Sequence, residues 1–231
     1  MYLPGTTDLT KDAQSVPNPQ SARPKRDDVT LDGRRILDIV LSALALIFLA
    51  PMMLAVAAAI KLQDGGPVFF AQERIGLGGS VFKCLKFRSM VVDAEARLNH
   101  VLETNPELKG YWESHRKLLW DPRVTLLGQI IRKTSLDELP QLINVLRGDM
   151  SLVGPRPIMV NEKEIYGRWL ERYCTMRPGI TCLWQIRGRN QLTFRQRIAL
   201  DMLYRRNENV GSYLGILVQT VPAVLLRQGT F

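Results

Sequence analysis

The chain has 231 residues, 46% of them hydrophobic, enough to bury one sizeable core or two small ones. A formal net charge of +9 and a pI near 9.7 point to an anionic partner, a role that nucleic acid, acidic lipid or a phosphorylated substrate would each fill. Three cysteines, Cys84, Cys174 and Cys182, show neither disulfide nor metal-ligand spacing and histidines number two, which argues against a zinc site and fits a reducing, cytoplasmic setting.

Residues 1–32 mix Pro, Gly, Ser, Thr and Asp without a hydrophobic period and read as a disordered tail. Arg34-Arg35 then opens an apolar run closed by Lys61, and from Ile39 onward its only polar side chain is Ser42. At 1.5 Å per residue, residues 39–60 extend about 33 Å, against about 30 Å of bilayer hydrocarbon, so 33–62 reads as a membrane segment. A cleavable signal peptide fits poorly, because the stretch before the apolar run is too long. A single span fits the length. Pro51 near the midpoint and Asp38 near one mouth suit a re-entrant hairpin instead, and the basic flanks Arg34, Arg35 and Lys61 pull both ends to the cytoplasm. Physical chemistry alone leaves span and hairpin open; either way, residues 63–231 form a cytoplasmic domain.

That domain opens with two β-type runs, 68–72 and 81–87, bracketed by turn residues, which predict a hairpin. Lys83 and Lys86 fall on opposite faces of the second run. Basic and aromatic residues interleaved in this way suit nucleic acid, and equally a solvated strand edge. Residues 91–119 read as amphipathic helix interrupted at Asn105-Pro106, with Tyr111, Trp112 and Trp120 placed in the core or at a lipid interface. Asp121-Pro-Arg-Val-Thr125 reads as a turn leading, through an apolar stretch, to Arg132.

The stretch from Ser135 to Pro157 is the centre of the chain. Asp137 and Glu138 precede apolar residues at 139, 142, 143 and 146, which is helical spacing, and Arg147-Gly148 makes a stop. Two acids in a first turn meet a partial positive charge and unpaired N–H groups, an environment that also attracts phosphate. The alternative is a capping box of Ser135 with Glu138, although Pro140 then falls inside the helix. Gly154-Pro-Arg-Pro157 frames Arg156 between prolines, and Arg177-Pro-Gly179 and Arg187-Gly-Arg-Asn190 again hold cations beside Gly or Pro. Planar guanidinium groups pair with phosphate oxygens through two parallel hydrogen bonds, so the set suits a phosphoanion site. Residues 213–226 are apolar around Pro222 and read as a core or interfacial helix pair.

From Arg34 to its C-terminus the chain resembles the monotopic phosphoglycosyl transferase family of bacterial sugar transferases. The resemblance rests on Arg-Arg-Ile-Leu-Asp38 with Ala50-Pro51, Lys86-Phe-Arg-Ser-Met90, Asp121-Pro-Arg-Val-Thr125, Leu136-Asp-Glu-Leu-Pro140, Arg147 through Pro157, Arg177-Pro-Gly-Ile-Thr181, Gly188-Arg-Asn190 and Val221-Pro-Ala-Val224. The chain is most similar to the short enzymes that start exopolysaccharide repeat units. The resemblance implies transfer of a sugar phosphate, galactose or glucose 1-phosphate, from a UDP-sugar to undecaprenyl phosphate, with release of UMP. It assigns Asp137 as nucleophile, forming a covalent phosphosugar, and Glu138 as its dyad partner. Mg²⁺ is implied as cofactor with Asp137 as a ligand, and Lys86, Arg132, Arg156, Arg189 and Asp201 as substrate-binding residues.

The implied fold is α+β and mostly helical, with a re-entrant membrane hairpin, a small β-hairpin and amphipathic interfacial helices around a cytoplasmic active site. The implied location is the cytoplasmic face of the bacterial inner membrane, with membrane lipid as partner, no nucleic acid, and room for a homodimer. Two departures stand out. Cys182 occupies a position where the family has Gly, and Ala50 replaces the Ser that often precedes the bend proline. The competing reading is a membrane-anchored basic module that binds nucleic acid or acidic lipid without catalysis; Asp137-Glu138 opposes it, since adjacent acids repel a polyanion.

Overall fold

The computed structural model describes residues 32–115, 118, 120–187 and 192–225. The expected N-terminal tail, apart from Asp32, and the Gly188-Arg-Asn190 motif therefore lie outside the described residues. The apolar run forms one helical element, α1 (Gly33–Asp64), which continues through Pro51 without separating into two arms. Asp32 caps its start by accepting a hydrogen bond from the Arg35 amide at 2.9 Å, and Gly65, at φ 69°, ends it in a left-handed turn. Among the described residues α1 is the one helix long and apolar enough to cross a membrane.

Both ends of α1 are held by the same body. Near its start, Arg35 donates to the carbonyls of Val145 (2.7 Å) and Leu146 (3.0 Å). One turn on, buried Asp38 accepts from the Ser151 hydroxyl (3.0 Å), the Leu152 amide (2.7 Å) and the Tyr213 hydroxyl (2.7 Å). Near its end, Ile60 belongs to a cluster with Phe87 and Ile131, and Asp64 pairs with Arg88. Between these anchors Leu44, Ile47, Phe48 and Leu54 are exposed, Phe48 at 83%, a patch that water disfavours and lipid would cover.

β1 (Phe69–Ile75) and β2 (Val81–Phe87) form the expected antiparallel hairpin, with Phe69 opposite Phe87 and Ile75 opposite Val81. β1 runs three residues beyond the 68–72 pattern, because Arg74 and Ile75 are buried and still pair with β2. α2 (Ala94–Thr104) and α3 (Pro106–His115) are divided at Asn105, as the Asn-Pro step predicts. Arg123 lies over the half-buried ring of Trp112 at 5.1 Å, whereas Trp120 is 75% exposed. Next comes α4 (Leu126–Lys133), capped by Thr125. A Cβ at Gly128 of α4 would fall 1.9 Å from the Ser89 carbonyl oxygen, so only glycine lets this helix approach the end of β2.

A short 3₁₀ turn, Leu136–Glu138, leads into α5 (Gln141–Arg147), which ends at Gly148 with φ 88°. Beyond it β3 (Ser151–Val153) pairs in parallel with β4 (Gly179–Thr181), a second sheet that the sequence reading lacks. Three-residue strands carry no legible alternation, and this pair depends on glycines: a Cβ at Gly179 would sit 2.1 Å from the Gly154 nitrogen. α6 (Lys163–Tyr166) and α7 (Leu170–Cys174) pack with α9 (Phe194–Arg206) around Ile75 of β1, while α8 (Leu183–Arg187) and the end of α9 pack against Val153 of β3. The C-terminal apolar stretch is a single helix, α10 (Val210–Leu225), and not the expected pair, since Pro222 falls in its last turn. α10 buries Tyr213 and Ile216 and turns Val210, Leu214, Val218 and Val221 outward.

Candidate active site

β2 delivers Lys86 to the 3₁₀ turn that carries the two acids. Its Nζ lies 2.7 Å from Glu138 Oε1 and 3.5 Å from Asp137 Oδ2, so one ammonium bridges both carboxylates. Asp137 is nearly buried, and Glu138 is more open to solvent. Burial pushes the Asp137 carboxyl above the usual carboxylate range; the Glu138 charge adds to this, while Lys86 and Arg132 offset part of it. Burial alone would lower the Lys86 ammonium, but the charges of Glu138 and Asp137 outweigh it and the net movement is upward.

The acids do not sit in the first turn of the helix, and the capping box is not formed. Ser135 makes no side-chain cap, Glu138 is engaged by Lys86, and α5 begins only after Pro140. Ser135 instead adopts φ 58°, the one non-glycine residue with positive φ among those described. A serine held in this left-handed region costs about 1–2 kcal/mol, and the strain lies two residues before Asp137.

Arg132 comes from the last turn of α4 and donates through Nε to Ser89 Oγ at 2.8 Å, close enough for its charge to act on Asp137. Ser89 is fixed in turn by the segment 121–125, which the sequence offers as a turn and as one of the family motifs, without a role. The Thr125 amide donates to the Ser89 carbonyl, the Val91 amide to that of Arg123, and Arg123 forks onto Asp121 at 2.8 and 2.6 Å. Burial would raise the Asp121 carboxyl, but this fork holds it below the ordinary range.

Arg156 is exposed on its Pro-framed loop, and its carbonyl accepts from Tyr173 at 3.1 Å. A residue missed in the sequence braces the same loop. Buried Arg74 donates to the Pro157 carbonyl at 2.9 Å and to Gln72 at 2.6 Å, and both burial and the Arg156 charge press its guanidinium downward. Its only signal was an arginine two residues before Gly76, just past the expected strand. Cys84, whose thiol burial pushes up, feels the charges of Lys86, Arg74, Glu138 and Arg156.

Asp201 is placed elsewhere. It is 1% exposed in α9 and accepts from Tyr166 at 3.0 Å, and burial raises it to about 7 while the Tyr166 hydroxyl opposes. In this arrangement its carboxylate is enclosed in the core beside Tyr166 and Tyr173. Arg189 lies outside the described residues. Cys182 is buried with an ordinary φ and donates its amide to Gln185, so this position does not require the glycine that the family carries.

No cluster of three or more His, Cys, Asp or Glu side chains forms a metal cage among the described residues. Two adjacent carboxylates do fit the way Mg²⁺ is commonly held, by one or two carboxylates with the remaining positions taken by substrate phosphate and water.

An apolar helix long enough to cross a membrane and an acid pair bridged by a lysine, with Arg132 beside it, fit a membrane-associated enzyme. The chain belongs to the bacterial sugar transferase family, whose model matches residues 30–227. It is 45% identical over 199 residues to the exopolysaccharide production protein ExoY of Sinorhizobium fredii, covering 86% of this chain and 88% of that protein. It is 43% identical over 198 residues to the undecaprenyl-phosphate galactose phosphotransferase of Salmonella typhimurium, where the match covers 86% of this chain and 41% of the longer relative. The UDP-glucose:undecaprenyl-phosphate glucose-1-phosphate transferase of Caulobacter vibrioides is 41% identical over 206 residues, 86% of this chain and 72% of that protein. Family membership decides against the non-catalytic basic module.

Proposed function

We propose that the chain transfers galactose or glucose 1-phosphate from a UDP-sugar to undecaprenyl phosphate, releasing UMP and starting an exopolysaccharide repeat unit. The observation that carries this reading is the Asp137–Glu138 pair under one lysine, with Arg132 beside it. An Asp137 oxygen attacks the sugar-bearing phosphorus; the P–O bond to UMP breaks and UMP leaves with the electron pair. An oxygen of undecaprenyl phosphate then attacks the same phosphorus, the acyl phosphate bond breaks, and the carboxylate is restored. Lys86 and Arg132 offset the charge that develops on the phosphoryl oxygens, and Arg156 meets the diphosphate from its rigid loop. Glu138 holds Lys86 in place between the acids. Mg²⁺, held by Asp137 with Glu138, would neutralise diphosphate charge as UMP departs.

The same reading places the site on the cytoplasmic face of the inner membrane, with α1 re-entrant. A straight rod of this length would hold its ends about 48 Å apart. Yet Arg35 bonds Val145, whose neighbour Asn144 bonds the Leu85 amide, while Asp64 at the far end pairs with Arg88, three residues along from Leu85. A helix crossing a bilayer would put its ends in different compartments, and here one body grips both. Pro51, which removes a helix hydrogen bond, is where such a helix would bend.

The deciding experiment incubates the protein with sugar-labelled UDP-galactose or UDP-glucose in the absence of lipid. Label should stay on the protein with release of UMP, and Asp137→Asn should abolish both. Equal retention of label by Asp137→Asn would end the assignment.

A further inference from the structure

A polar cavity of about 170 Å³ lies at the opposite end of α5 from the acids, between the start of α1, the loop carrying Arg177 and the end of α9. That is well above the ~10–15 Å³ needed to admit one water. Four arginines border it, Arg34, Arg35, Arg177 and Arg205, against the acids Asp32, Asp38 and Glu208. Their commitments differ. Arg34 is neutralised by Asp32 and Glu208, and Arg35 spends its terminal nitrogens on the carbonyls that end α5. Arg205, 46% exposed, bonds Thr175 at 2.9 Å and Glu208 at 3.1 Å.

Arg177 is the exception. Its Nε donates to the Gly148 carbonyl at 3.1 Å, and among the described residues its guanidinium has no carboxylate in ion-pair contact. It is half-buried beside Arg35, and burial together with the Arg35 charge presses it downward, with Asp38 and Asp32 offsetting only part of this. A guanidinium fork lining a cavity of this size, with a like charge beside it, is relieved by an anion that takes two hydrogen bonds at once. Phosphate oxygens have that geometry. The location narrows the source: Arg34 and Arg35 directly precede the apolar residues of α1, so entry of that helix into a bilayer would bring the cavity to the depth of lipid headgroups.

We propose that this cavity binds a phosphate group, supplied by an anionic lipid headgroup, with Arg177 as its principal ligand and Arg205 closing over it. The site is separate from the acid pair and does not depend on the reaction assigned to Asp137.

The test uses the full chain in a neutral detergent and reads the melting temperature as phosphatidylglycerol, phosphatidylcholine or inorganic phosphate is added. Phosphatidylglycerol should raise it, and phosphatidylcholine, with similar tails and a compensated charge, should raise it far less. Arg177→Gln and Arg205→Gln should each weaken phosphatidylglycerol binding by roughly tenfold, as expected when a charge-assisted hydrogen-bonded contact is lost. Glu208→Gln should strengthen it, because one negative charge leaves the cavity wall; a purely structural role for the arginines predicts no such gain. Arg132→Gln, at the acid pair, should leave the shift intact. An equal, Arg177-dependent rise with inorganic phosphate would overturn the lipid source in favour of a free ion. An unchanged shift in both Arg177→Gln and Arg205→Gln would overturn the site. Should Arg177→Gln fail to fold, Arg205→Gln and Glu208→Gln decide with their opposite signs.

Discussion

Lys86 reaches two carboxylates at 2.7 and 3.5 Å, and its removal has a readable consequence. Asp137 already titrates above the ordinary carboxylate range because it is buried, and Lys86 is the largest influence holding it down. Since the attacking form is the carboxylate, activity should fall as pH drops through this raised pKa. Lys86→Met should move the acid limb of the kcat/KM profile to higher pH, besides lowering the plateau by roughly 10²-fold or more through lost charge stabilisation. An unmoved acid limb would show that Lys86 does not govern Asp137. At Ser135 the backbone, and not the side chain, sets the expectation. Ser135→Gly relieves a left-handed φ and should keep or raise the melting temperature, whereas β-branched Ser135→Val should cost about 1–3 kcal/mol. Thermal unfolding of the two variants separates this from a capping role, which predicts that both lose stability.

At the scale of elements, α4 and α1 carry the site into position. Gly128 lets α4 lie against Ser89, the residue that orients Arg132. Gly128→Ala would drive a methyl into the Ser89 carbonyl, so α4 must shift and Arg132 with it. Activity should drop at least tenfold with a lowered melting temperature, while labelling at Asp137, if it still occurs, should be slow. For α1, a single cysteine placed before Arg34 should resist a membrane-impermeant reagent applied from outside intact spheroplasts. Labelling from outside would establish a span. Pro51→Ala is the companion, because without the proline the run is free to straighten and carry its start across the membrane.

For the molecule as a whole, the enclosed Asp201 makes stability depend on pH. Its carboxyl titrates near 3.8 when unfolded and at about 7 when folded. Between those values the folded chain binds the extra proton, so this residue's contribution falls as pH rises from about 4 to 7 and stays low above that, by at most about 4 kcal/mol. Asp201→Asn keeps an oxygen to accept from Tyr166 and cannot ionise. It should therefore flatten the loss of melting temperature between pH 5 and 8 and be more stable than wild type at pH 8, to within the few kcal/mol this group can supply. An unchanged slope would mean that Asp201 is not the group responsible.

Much of this was legible along the chain, and the reason lies in range. The apolar run, the strand pair around its turn, the break at Asn105 and the acid pair with its following helix are set by neighbours a few residues apart, and local patterning records them. The likeness to sugar transferases likewise rests on contiguous motifs. What only the tertiary structure decided involves partners far apart in sequence. β3 and β4 pair Ser151 with Gly179 and Val153 with Thr181, far apart in the chain, through glycines that allow backbone contact. Arg74 braces the Arg156 loop from another sheet, Lys86 straddles acids some fifty residues away, and Asp38 joins α1 to β3 and α10. Asp201 shows the difference most directly: in the sequence it is an acid on a helix face, and only the fold encloses it beside Tyr166, because burial is a property of what packs from outside the helix.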